Sequence, residues 1–424
     1  MGMIEEILEP IKIPGLVKIK QLFDSRHISK DDLPLHIKRE LDKEGIINQI
    51  KPNQKVGITA GSRGIANIAL IIKEIVHNVK EAGAQPFIIP CMGSHGGSNA
   101  EGQIYILNKL GITEEYIGAP ILSSMNVVEI GKTLSNVRVF VDGYAAHMDA
   151  LIVVNRIKPH TAFSAEVESG IQKMITIGLG KQKGAAICHA AGFGKMYQNI
   201  KEISDIVINK LNIVFAVAII ENAYDETFQC IALKKKEIQV KEPQLLELAK
   251  SHLPRIMFPD IDVLIIDEIG KNIAGAGMDT NVTGRYATPY ISGGPKVSKI
   301  VTLDLTDESK GNATGVGHAD FITQRCRDKI ILEETYPNAL TSTVTIPAKI
   351  PLIMANDLLA IKAGIKTCNR SDEEGIRIVR ICNTLKLHEI WISEALIDLA
   401  KKNKDIEISG AIQEMSFDDA GNLI

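Results

Sequence analysis

Twice in succession near the start of this chain, a short apolar run ends at a glycine-rich turn and is followed by a long amphipathic stretch, a pattern that restricts the chain to an open α/β sheet. Residues 56–60 form the first run, Gly61-Ser62-Arg63-Gly64 the turn, and residues 65–82 the amphipathic stretch, stopped by Gly83. The second unit has a strand at 86–91, the turn Met92-Gly93-Ser94-His95-Gly96-Gly97, and a helix at 99–110. A spacing of i, i+3, i+4 in the long stretches and unbroken apolar character in the short ones make this reading physical. Open sheets of this kind hold ligands at the carboxyl ends of their strands. Both turns leave backbone N–H groups aimed at one spot, which favours a phosphate or carboxylate, although the same geometry also serves as a plain connection.

The remaining chain continues the alternation. A leading segment up to Asn53 carries a helix at 36–41 and no catalytic signature. Paired strands are expected at 125–130 and 137–142, a buried strand at 150–154, a helix at 197–211, a long buried strand at 213–220 and its neighbour at 228–233. Lys234-Lys235-Lys236 reads as a solvated turn. A short helix and two prolines between 243 and 259 put a boundary near Phe258. That gives two α/β domains, 1–258 for cofactor binding and catalysis and 259–424 closing over the substrate, with the active site in the cleft between them. The last segment could equally pack back on the first domain.

The second domain opens on a strand at 262–267 and a glycine-rich loop at 269–285 that holds Lys271, Asn272, Asp279, Asn281 and Arg285. Loops of this length in compact domains are more often functional than not. A strand at 297–303, a helix at 319–329, a strand at 349–354, a helix at 357–364 and a last strand at 388–393 with Trp391, read as a core residue, complete it.

Composition then excludes several partners. With 45% hydrophobic and 23% charged residues the 424-residue chain is ordinary for a globular protein, and a formal charge of −3 offers no basic field for nucleic acid or anionic lipid. Six scattered cysteines (Cys91, Cys188, Cys230, Cys326, Cys368 and Cys382) contain no Cys-x-x-Cys pair and read as reduced. Neither a signal peptide nor a bilayer-length apolar run is visible, so the expected location is the cytoplasm.

The chemistry concentrates between Asn155 and Gly192, immediately after the strand at 150–154. His160, Lys173 and His189 lie there, three side chains able to ligate metal, exchange protons or form covalent links. Taken singly, each has a plain alternative: His160 satisfying local carbonyls, Lys173 solvated on a helix, His189 a core histidine beside Cys188. Gly178, Gly180 and Gly184 among Lys181 and Lys183 read either as a phosphate cradle or as a solvated loop. His95, His160 and His189 gathered around zinc would make a hydrolytic site. A protein that binds a nucleotide or sugar acid without chemistry is the non-catalytic alternative.

Taken together, His160, Ser169-Gly170-Ile171-Gln172-Lys173 and His189 resemble the core of the nickel-dependent lactate racemase family. The resemblance covers most of the chain, is specific in the first domain and is weak beyond about Arg285. It implies a nickel-pincer nucleotide, a pyridinium-3,5-bisthiocarboxylic acid mononucleotide holding nickel, joined covalently to Lys173 with His189 as nickel ligand. It implies His95 and His160 as the two acid–base residues, Arg63 as a substrate contact, and Ser62 and Gly64 as neighbours of the cofactor. Many members carry an acidic residue where this chain has Ala60 and a proline where it has Gly64. Lys271 and Arg285 are the candidates for a carboxylate contact from the second domain. The implied activity is inversion at C2 of a 2-hydroxy acid, a racemase or epimerase reaction by hydride transfer to the cofactor, which dedicated synthesis enzymes must supply. Lactate, larger 2-hydroxy acids, malate and aldonic acids are all substrates within the family, and fold and motif do not choose among them.

Overall fold

The computed structural model describes residues 2–370 and 375–424 and is a mixed α/β protein of two units. One unit is Ser25–Leu253; the other joins Met1–Asp24 to Pro254–Ile424. The division therefore falls between Leu253 and Pro254 rather than at Phe258. The first 24 residues also leave the unit to which the sequence assigned them. Their strand β1 (Leu16–Gln21) buries Leu16, Val17, Ile19 and Gln21, and needs antiparallel neighbours on both sides. It finds them hundreds of residues away, a pairing that no local pattern announces.

Within Ser25–Leu253 the strands are β2 (Lys55–Ala60), β3 (Gln85–Pro90), β4 (Val127–Lys132), β5 (Arg138–Asp142), β6 (Ala150–Arg156), β7 (Ile213–Glu221) and β8 (Thr227–Lys234). Five of them form a sheet in the order β3-β2-β6-β7-β8, parallel except for the hairpin partner β8. β4 and β5 pair separately and antiparallel. Central strands covered on both faces must be apolar throughout. β6 buries its first five residues and β7 its first eight. Helices Leu33–Leu41 and Ile68–Glu81 supply Leu33, Ile37, Leu41, Ile71, Ile72 and Ile75 to the core beneath β2 and β6.

From β2 the chain moves outward to β3 and then returns to β6 on β2's other side. The strand order thus reverses between β2 and β6, so the connections leaving their carboxyl ends diverge and open a crevice. Into that crevice's surroundings run the turn at 61–64, the turn at 91–99 and the long connection after β6.

The other unit has one eight-stranded sheet, β12-β11-β10-β9-β13-β14-β1-β15. Here β9 is Asp260–Ile269, β10 Lys296–Leu305, β11 Phe321–Thr323, β12 Leu352–Met354, β13 Ile378–Ile381, β14 Glu389–Ser393 and β15 Ile406–Ile408. Strands β12 through β13 run parallel, and β14, β1 and β15 alternate in direction. The helix expected at 319–329 begins instead as strand β11. Phe321, Ile322 and Thr323 fill the place between β10 and β12, and Thr323 then caps the helix Gln324–Asp328 through the amide of Cys326. Helix Leu332–Ser342 runs through Pro337, a residue that ordinarily breaks a helix. Helix Ile238–His252 likewise runs through Pro243, so it is longer than the proline suggested. Trp391 lies on β14 between two cations, Arg380 at 4.9 Å and Lys18 at 5.5 Å from its ring centre.

Candidate functional site

The carboxyl end of β2 delivers Ser62 and Arg63, and that of β3 delivers His95. Ser62 Oγ lies 2.8 Å from His95 Nδ1, and the Arg63 guanidinium 3.4 Å from His95 Nε2. Arginine has only donors, so Nε2 accepts, and in the neutral ring the proton rests on Nδ1, shared with Ser62. The His95 turn owes its shape to left-handed backbone at Gly93, Gly96, Gly97 and Ser98. At Gly96 a side chain is excluded outright, since a Cβ would stand 2.7 Å from the backbone of Gly102 and Gln103.

After β6 the chain forms a closed loop: Lys158 and Ser169 exchange both backbone hydrogen bonds. Glu168, almost wholly buried, organises its interior. Its carboxylate accepts from the His160 amide (2.7 Å), the Ala165 amide and Ser164 Oγ (both 3.2 Å), and pairs with Lys250 at 3.0 Å. His160 Nδ1 in turn accepts from the Ala162 amide at 3.0 Å, which puts the neutral ring's proton on Nε2. Burial first, then the charges of Lys173, His189 and Lys158, hold the His160 imidazole well below its usual pKa. His160 is therefore neutral at neutral pH.

Lys173 follows on the short helix Ile171–Lys173, which continues as π-helical turns over Met174–Gly178. Such π segments concentrate at functional sites. The helix begins at Gly170, where a Cβ would be 2.1 Å from Glu242 Oε1 and would push that carboxyl group away. That approach lets the Glu242 carboxylate accept from the amides of Gln172 (3.0 Å) and Ile171. The glycine of the Ser-Gly-x-x-Lys segment thus has a packing reason. Lys173 Nζ makes no hydrogen bond or ion pair among the described residues. Desolvation, followed by the charges of Arg63 and Lys158, brings its pKa down to about 7.

His189 sits near the end of helix Lys181–Ala190, its ring edge-on to Phe193 at 5.7 Å; His160 lies 5.7 Å from the same ring. Its Nδ1 is buried without a hydrogen-bond partner, and burial followed by the Lys173 charge pulls its pKa to about 4. Arg63, Lys173, His160 and His189 are thus linked through mutual electrostatic contact, and His95 joins them through Arg63.

A half-buried, partnerless amine and a buried imidazole nitrogen without a hydrogen-bond partner are chemically what a covalently tethered group with one histidine ligand requires, so these residues fit such a cofactor. Among the described residues no three His, Cys, Asp or Glu side chains gather to hold a metal ion, so the trihistidine zinc arrangement is not formed. Neither cradle nor solvated loop exists at residues 178–184: Gly178 closes the π-helical segment, and Lys181 begins a helix with its side chain fully buried. In the other unit, Lys271 Nζ donates to the Gly275 carbonyl (2.7 Å) and Asn338 Oδ1 (3.2 Å). Arg285 is tied to Asp320 and to the carbonyls of His318, Val297 and Ser298. Those bonds commit its guanidinium to its own framework.

Sequence reasoning missed Glu168 and Glu242, each a single carboxylate with no spacing to mark it. Glu242 has a measurable signature. Burial pushes its carboxyl up to about 7, so the folded chain holds a proton that the unfolded chain releases above about 4.5. That contribution is complete below the ordinary carboxylate range and is lost as pH rises through about 7. The stability of wild type relative to Glu242→Gln should therefore fall by about 3 kcal/mol between pH 5 and pH 8 in urea titrations. A pH-independent difference would contradict a buried, protonated Glu242.

A family model described as a domain of unknown function (DUF362) matches residues 49–231, inside the unit that carries the site. No curated protein matches the chain. Among solved structures, the lactate racemase apoprotein from Thermoanaerobacterium thermosaccharolyticum is similar at a TM-score of 0.50 and 15% identity, over 93% of this chain and 97% of that one. A Thermotoga maritima protein from a structural genomics consortium aligns at a TM-score of 0.49 and 13% identity, over 65% of this chain and 70% of that one. The fold is thus lactate racemase-like. Among the described residues no helix is long and apolar enough to cross a membrane.

Proposed function

We propose that this protein is a racemase or epimerase that inverts C2 of a 2-hydroxy acid with a nickel-pincer nucleotide tethered through Lys173. The observation that carries the reading is the desolvated, partnerless Lys173 amine standing in one electrostatic cluster with Arg63, His160 and His189. The lactate racemase-like fold supports it.

Inverting this carbon by proton removal is hard, because the C–H bond beside a carboxylate is barely acidic. When bound, the tethered group would supply an acceptor for hydride, which avoids a carbanion. The chain's own residues do the rest. Lys173 holds the group, and a neutral His189 offers a ring nitrogen to nickel, a metal that imidazole suits. Arg63 holds the substrate by charge-assisted hydrogen bonds. His95 and His160 serve the substrate hydroxyl, one for each hand of the substrate. Arg63, which can only donate, sets the His95 tautomer, Ser62 orients that ring from its other nitrogen, and Gly64 would lie beside the cofactor.

The enzyme would work in the cytoplasm beside the enzymes that make its cofactor. Protein produced with them should contain about one nickel per chain, as a single tether requires. Chiral chromatography should then show at least one acid among lactate, malate, larger 2-hydroxy acids and aldonates losing its optical purity. Nickel-loaded protein that binds such acids without ever inverting them would replace this reading with a binding protein.

A further inference from the structure

Behind the His95 turn lies a buried polar chain that none of the proposed chemistry uses. Lys181 is completely buried, as is Asp142, and their charged atoms are 3.2 Å apart. Lys181 Nζ also donates to the Pro90 carbonyl at the end of β3 and, at 3.0 Å, to Gln103 Oε1. Gln103 is buried too, and its amide nitrogen donates to the carbonyls of Gly93 (3.2 Å) and His95 (3.3 Å). Asp142 completes the chain by accepting from the Ala145 amide at 2.9 Å.

A buried ammonium is costly unless paired and hydrogen-bonded; here Lys181 donates to Pro90 and Gln103 and is ion-paired with Asp142, whose Oδ2 has that pairing and no hydrogen bond. The arrangement also holds Lys181 in left-handed backbone, φ +52°, which is strained for a residue with a side chain. Strain of this kind persists only where the surroundings over-determine it. Lys181 is the first residue of the helix that carries His189. Gln103 lies on helix Ala100–Lys109, directly after the His95 turn.

We propose that Lys181 and Gln103 are positioning residues, a buried Asp142–Lys181–Gln103 chain that fixes the His95 turn to the start of the His189 helix. The two histidines come from separate strand–helix connections, and this chain ties those connections together. Its catalytic importance rests on the roles proposed for His95 and His189; the tethering itself does not.

The test uses full-length protein as purified, with no turnover required. Gln103→Met keeps the volume but removes both donors to the turn. Hydrogen exchange of the peptide spanning residues 92–99 should accelerate about tenfold, the loss expected for one to two net hydrogen bonds. His95 should also be acylated faster by diethyl pyrocarbonate, while exchange in β7 stays unchanged. Gln103→Glu keeps an acceptor for Lys181 but still lacks the donors, so it should leave the turn equally loose. That variant carries the test should Gln103→Met fail to fold. Native protection of the turn in either folded variant would overturn the proposal. In loaded enzyme the same variants should lower kcat with little change in KM. Loosened turns in a protein with no racemase activity would retain the tether and discard only the proposed function.

Discussion

Lys173→Ala protein made alongside the cofactor-synthesis enzymes is expected to have the mass of the bare chain and no racemase activity, whereas the wild type carries a covalent adduct. The reason lies in the amine's surroundings. At a pKa of about 7, roughly half of the Lys173 side chains are neutral and nucleophilic at neutral pH. An ordinary lysine near 10.4 has about one neutral amine in 2,500 at that pH. Lys173→Arg should be just as inactive, because it keeps a charge but supplies no nucleophile. The bare protein provides a second measurement: a limiting amount of an amine acylating reagent at pH 7 should modify Lys173 before the exposed lysines, with a reactivity midpoint near pH 7. Labelling at the rate of a surface lysine would remove the basis for the tether.

The same burial sets the sign of a stability effect. Below its depressed pKa the folded chain must hold an unpaired ammonium, so the cost is greatest at acid pH and disappears as pH rises from about 7 toward the unfolded value. Lys173→Met removes that cost. It should be at least as stable as the wild type at pH 6, as expected where a site is strained for function.

Much of this arrangement was legible from the chain alone, for identifiable reasons. Strands β2, β3 and β6 announce themselves as apolar runs ended by polar or glycine-rich turns, so the placement of Arg63, His95 and His160 at carboxyl ends follows from local pattern. What stayed hidden depends on contacts far apart in sequence. Strand β1 pairs with residues 389–393 and 406–408. Glu242 reaches back seventy residues to cap the Lys173 helix, and Lys181 reaches ninety-one to Pro90. Three glycines near Lys181 suggested an open loop, yet they permit close packing: a Cβ at Gly178 would meet the Cys91 carbonyl at 2.8 Å. Spacing reveals which residue types are available, while burial decides what a lysine at position 173 or 181 can do.

His95→Ala and His160→Ala should each reduce kcat/KM by 10²–10⁴, the usual worth of a positioned proton donor or acceptor. Both are needed in either direction, because one imidazole takes the hydroxyl proton from one enantiomer and the other serves its mirror image. The structure gives the two rings different resting tautomers. His95 turns an acceptor nitrogen toward Arg63, while His160, its Nδ1 occupied by the Ala162 amide, presents an N–H. Nitrogen-15 spectra of the bare protein should show His160 protonated at Nε2 throughout pH 6–8, with no titration. An imidazolium at pH 6 would contradict the burial that holds its pKa down. For a pair of enantiomers the equilibrium constant is one, so kcat/KM must be equal in the two directions for every variant, whatever the asymmetry of the site. The different tautomers can therefore appear only as unequal kcat balanced by unequal KM. If His160→Gln, which keeps an N–H but cannot take a proton, retains turnover within tenfold of the wild type, His160 acts as a hydrogen-bond donor alone, and the second base must be sought elsewhere.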